Sequence, residues 1–80
     1  MSARARRKLT RLYKQEIAAE LIRYRMNGDS NAVRDANITY TDWIAFQKHG
    51  DVSKRMHFAI ARYLHNSTLK RKSHAPISRD

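Results

Sequence analysis

The stretch SNAVRDANITYTDWIAFQKH, residues 30–49, decides how this chain folds. Asp29 or Ser30 can cap a short helix through Ala32, Val33 and Ala36, because a side-chain oxygen there accepts from an unpaired backbone N–H of the first turn. Asn37 then breaks that helix, since asparagine tolerates the left-handed conformation a tight turn demands. Ile38 follows at once as an apolar plug. Thr39 and Asp42 form a capping box ahead of Trp43, Ile44 and Phe46, and Gly50 stops the second helix. Two short helices crossing steeply need small residues where they approach, and Ala32 and Ala36 supply them. Trp43 and Phe46, three apart, give the second helix its buried side, flanked by Ile44 and Gln47.

Toward the N-terminus, the spacing predicts one helix from about Leu9 to Met26. Leu9, Tyr13, Ile17, Leu21 and Tyr24 form one apolar stripe, and Leu12, Ala19, Ile22 and Met26 form a second on roughly the opposite side. A helix apolar on two sides is normally covered on both, so it sits centrally or uses one face to dimerise. Asn27-Gly28 ends it. Toward the C-terminus, Ser53 can cap a further helix in which Met56, Ala59, Ile60, Tyr63 and Leu64 face one way, with Phe58 and Ala61 pointing elsewhere. That helix fades near Asn66-Ser67-Thr68. The expected fold is all-α, with three to four helices, a helix-turn-helix-like core and flexible basic N- and C-terminal ends. Its parts are a basic arm over residues 1–7, a helical domain over 8–68 and a basic tail over 69–80, which holds the single proline, Pro76.

Residues 30–49 resemble the homeodomain-like helix-turn-helix of small phage packaging proteins, transposases and related regulators. There an alanine-rich helix leads through a short turn into a helix carrying an aromatic residue. The chain departs from that pattern at Asn37, where glycine is usual, and at Val33, where alanine is common. The resemblance implies a second helix lying in the DNA major groove. Tyr40, Thr41, Gln47 and Lys48 would be its base contacts, with Gln47 suited to adenine and Thr41 to a thymine methyl or a phosphate. Asp42, repelled by phosphate, serves as a cap.

Charge points to the same class of partner. The chain has 17 Lys and Arg against 7 Asp and Glu, a net charge of +10. Six cations and no acid fall in residues 1–15, and seven cations with one acid in residues 54–80, while the middle is nearly balanced. Charge gathered at both ends repels itself and is relieved by an anionic partner. The expected phosphate contacts are Arg4, Arg6, Arg7, Lys8 and Arg11 at one end and Lys54, Arg55, Lys70, Arg71 and Lys72 at the other. Such contacts bring steep salt dependence and little sequence preference. DNA is the first expectation and RNA the second. Tyr13, Tyr24 and Tyr63 belong to apolar faces, which leaves Tyr40 as the tyrosine free to touch a base.

Other classes find less support. No apolar run approaches the ~18 residues of a membrane span, and Glu16 and Glu20 weigh against a basic membrane-surface helix. The chain has no cysteine, and His49, His57, His65 and His74 are too loosely spaced for a zinc site. Two glycines make no phosphate loop, and no nucleophile and base pair up, so neither an enzyme nor a cofactor is expected. The alternative is a small phage- or plasmid-type protein that docks on a host nucleic-acid enzyme or nucleoprotein. Phe58 would be its contact, and a homodimer through the first helix would cover the same kind of surface. The expected location is the cytoplasm, with the nucleoid as its DNA-associated variant.

Overall fold

Ser2 starts the first helix by accepting a hydrogen bond from the Ala5 N–H at 3.2 Å. The computed structural model describes residues 2–78, with side chains through residue 70. Among these residues there are five helices and no strand: α1 (Ala3–Leu12), α2 (Lys14–Asn27), α3 (Asn31–Asp35), α4 (Tyr40–His49) and α5 (Lys54–Ser78). The chain is therefore all-α, as the periodicity predicts.

Side-chain caps fix the later boundaries. The Val33 N–H donates to Ser30 Oγ at 3.3 Å, the Asp42 N–H to Thr39 Oγ1 at 3.4 Å, and the Met56 N–H to Ser53 Oγ at 3.1 Å. Gly28 (φ 70°) closes α2 and Gly50 (φ 74°) closes α4, each sending its N–H back to the carbonyl four residues earlier. Asn37 turns the chain between α3 and α4 with φ 59°. Gly50 also gives room: a methyl group on it would run into the Arg25 guanidinium, which lies across the end of α4.

Three expectations are corrected. The helix predicted from Leu9 to Met26 is two helices, parted at Tyr13, whose backbone leaves helical geometry at φ −103° and ψ 19°. Its N–H still reaches the Leu9 carbonyl at 3.2 Å and its own carbonyl accepts from Ile17 at 2.8 Å, so the break is a bend that strands few backbone groups. Residues 3–7, expected as a loose arm, form the first turns of α1. Alanine and arginine are strong helix formers, and the Ser2 cap supplies the start. At the other end α5 continues past Asn66-Ser67-Thr68, with the Thr68 hydroxyl donating to the Leu64 carbonyl at 3.0 Å inside the helix.

The core draws on four helices. Ile17 from α2, Ala32 and Val33 from α3, Phe46 from α4, and Met56, Ile60 and Ala61 from α5 are buried, along with Ala36 in the turn. The small residues Ala32, Ala36 and Ala61 are all buried within the core. An aromatic trio fastens α4 to α2: Tyr24 meets the Trp43 ring edge-on at 5.1 Å and the Phe46 ring at 5.7 Å. Tyr13, Tyr24 and Tyr63 pack against the core, whereas Tyr40 stands 73% exposed.

Candidate nucleic-acid interface

α1 is seated on α5 by side chains from one of its faces. Arg6 places its guanidinium over the Phe58 ring at 5.8 Å, Leu9 packs against the core, and the Tyr13 hydroxyl meets His65 Nδ1 at 3.1 Å. At 3.6 residues per turn, residues 6, 9 and 13 share a side. Arg4, Arg7, Lys8 and Arg11 then share the opposite side, and all four are exposed. None of them forms an ion pair among the described residues, whose pairs are Arg23–Glu20, Arg34–Asp29 and Arg55–Asp42. The result is a cationic ridge about 10 Å long from Arg4 to Arg11, held on a helix whose apolar side is already covered. An amphipathic helix lying on a membrane needs that side free.

Because α1 and α5 run parallel, with residue 6 beside 58 and residue 13 beside 65, their amino ends lie together. Lys54 and Arg55 stand on the first turn of α5, toward the Arg4 end of the ridge, and both are exposed. Arg55 is committed in part to Asp42, its Nη2 donating to Asp42 Oδ1 at 3.2 Å while most of its side chain remains in solvent. Asp42 is buried at 7% exposure. The Thr39 hydroxyl is the main cause that holds its carboxyl below the usual value; burial opposes this, and Ser53 and Arg55 reinforce it. The acid that looked awkward for DNA contact is thus turned inward, where it ties the first turn of α4 to α5.

The structure sorts the remaining expected contacts. Tyr40, Thr41, Gln47 and Lys48 are all exposed, and the seven-residue steps set Tyr40 with Gln47 and Thr41 with Lys48 in two neighbouring rows on the outward side of α4, opposite the buried Asp42 and Phe46. The Asp42–Arg55 pair brings the Tyr40 and Thr41 end of those rows beside the amino end of α5. Lys70 is exposed on α5 beyond the reach of α1, so it does not join the ridge. Arg71 and Lys72 belong to α5, and their side chains lie outside the described ones. Arg6 does not point with the other cations of α1, since it covers Phe58. Phe58, expected as an exposed partner contact, is half-buried beneath it. Sequence reasoning missed His65 as the partner of Tyr13, because the histidines were weighed only as metal ligands and the contact spans 52 residues.

No group of three or more metal-binding side chains gathers among the described residues, and no helix there is long and apolar enough to cross a membrane. Comparison with family models, with curated proteins and with solved structures gives no match.

Proposed function

We propose that this is a non-enzymatic, nucleic-acid-binding helical protein that grips the phosphates of duplex DNA, in the manner of a small regulator or accessory factor. The observation that carries the reading is the ridge of Arg4, Arg7, Lys8 and Arg11, four exposed cations with no ion pair among the described residues, on the side of α1 turned away from α5. Lys54 and Arg55 extend it at the amino end of α5, and Lys70, Arg71 and Lys72 add phosphate contacts further along that helix. In this reading α3, the Asn37 turn and α4 act as a helix-turn-helix. The outward strip of Tyr40, Thr41, Gln47 and Lys48 enters the major groove. With a single lysine on that strip, most of the affinity comes from the backbone contacts and most of the limited base preference from Gln47.

The test is binding of the full chain to labelled duplex DNA, single-stranded DNA and structured RNA at low and moderate salt. Duplex DNA should bind with a log–log salt slope of about −0.9 for each phosphate contact, hence on the order of −4 or steeper for the ridge with its neighbours. Changing Arg4, Arg7, Lys8 and Arg11 together to glutamine should flatten that slope and remove most of the binding. Binding of RNA alone would overturn the DNA reading, and no binding above background would overturn both.

A further inference from the structure

α2 turns Ile17, Leu21 and Tyr24 toward the core, yet the side facing solvent is uncharged and largely apolar along its whole length. Gln15, Ala19, Ile22 and Met26 lie there, continued by Leu12 at the end of α1. Met26 is 78% exposed, Leu12 66% and Ile22 58%. Within α2, positions 15, 19, 22 and 26 advance by steps of four, three and four, the spacing of the seam in a two-stranded coiled coil.

We propose that this stripe is the docking surface for a second copy of the chain, with the two α2 helices antiparallel about a two-fold axis. Charge selects the occupant. Glu16 and Arg23 line the same edge of the stripe, seven residues apart. In a two-fold pair, residue i meets residue j of the partner and j meets i. Glu16 therefore faces the partner's Arg23 and Arg23 faces the partner's Glu16, which makes one bridge twice. The same register sets Ala19 against the partner's Ile22 and Gln15 against the partner's Met26. On the other edge Arg25 falls opposite the partner's Ala18, so no like charges meet. Glu16 has no ion-pair partner within its own chain among the described residues, and Arg23, bonded to Glu20 at 3.1 Å, keeps 59% of its side chain exposed. A parallel pair would set the two α1 ridges side by side and add their repulsion, whereas the antiparallel pair sends them to opposite ends. Four seam residues of α2, with Leu12 next to them and their edges, are far fewer than the roughly 20–30 residues a side of a standard interface. The dimer is therefore weak, forming at micromolar concentration and above. Nothing in this depends on nucleic acid, since α2 carries none of the ridge.

Sedimentation equilibrium of the full chain from micromolar to millimolar concentration tests it. The wild type should follow a monomer–dimer curve, and Ile22→Glu should stay monomeric. Glu16→Arg and Arg23→Glu, each alone, should weaken self-association by about tenfold or more. The two single variants mixed together should associate with each other, and E16R/R23E in one chain should recover the wild-type curve. That recovery is a gain that poor folding cannot imitate. A wild type monomeric at every concentration would overturn the proposal. Loss with E16R but not with R23E, or failure of the mixture to associate, would overturn the antiparallel pairing.

Discussion

The hydroxyl of Tyr13 meets Nδ1 of His65 at 3.1 Å across 52 residues of chain, and Arg6 covers Phe58 at the same sequence offset. The two contacts are seven residues apart on each helix, so α1 and α5 lie parallel in one fixed register over two turns. Ala61, fully buried, lies three residues after Phe58 and four before His65, on the same side of α5. The basic N-terminal segment is thereby presented on a seated helix and does not hang as a loose arm. A surface ordered before binding loses less side-chain and backbone freedom when a ligand arrives.

Tyr13→Phe removes the hydroxyl and keeps the ring, whose centroid lies 5.9 Å from that of His65. The expected loss is about 1 kcal/mol, the usual net contribution of such a hydrogen bond. A urea midpoint measures it, and an unchanged midpoint would show that the bond does not hold α1 in place.

Phe46→Ala should cost about 3–5 kcal/mol, as large aromatic truncations in cores do. Phe46 is 3% exposed and touches both Tyr24 and Trp43, so its removal empties the joint between α2 and α4. In so small a chain that approaches the whole stability. Circular dichroism should find the variant mostly unfolded or melting far below the wild type.

Asn37 sits at φ 59°, where a Cβ is strained and asparagine is relieved by its short polar side chain. Asn37→Gly should be neutral or slightly stabilising, and Asn37→Ala should lose about 1 kcal/mol. Thermal melts of the pair give the comparison, and equal melts would show that the turn carries no strain.

Acid should weaken the fold in two stages. Burial lowers the pKa of His57 from 6.5, so the unfolded chain takes up its proton first and stability falls as pH drops below about that value. Asp42 is held below its ordinary 3.8, with Thr39 as the first cause, so its share is present above that pH and is lost as pH falls through the lowered value. Chemical denaturation across the acid range should show both, and His57→Gln should flatten the upper stage alone.

The cations of α1 divide by role. Arg7→Gln or Lys8→Gln should reduce the salt slope of DNA binding by about 0.9 each and leave the melting temperature unchanged. Arg6→Gln should do the reverse, lowering stability by about 0.5–1 kcal/mol through its contact with Phe58 while the slope holds. Melts and salt titrations on the same three proteins separate the two roles.

The punctuation of the fold was legible where single residues carry it. Ser30, Thr39 and Ser53 cap the helices they were expected to cap, and Gly28, Asn37 and Gly50 take positive φ as their chemistry favours. The bend at Tyr13 was not legible, because it uses neither glycine nor proline and arises where Tyr13 turns to His65 on a distant helix. Helix through residues 3–7 was missed because apolar content was weighed and helix propensity was not. Of the candidate interface, the number and sign of the charges could be read from the sequence. Their division into Arg6 against its four neighbours could not, since only the packing of α1 on α5 decides which side faces out.

That packing also sets an order of events in time. The seat for α1 is made by Phe58 and His65, which follow it by 52 residues. Closing a loop of that length costs on the order of 3–4 kcal/mol in chain entropy before any contact is made. As the chain is synthesised, α1 emerges before the helix that receives it, so its docking is among the last steps of folding. By the same reasoning it is the first helix to lift off. Its backbone amides should exchange with solvent ahead of those of α2 and α3, and a bound polyanion that holds the helix down would slow them.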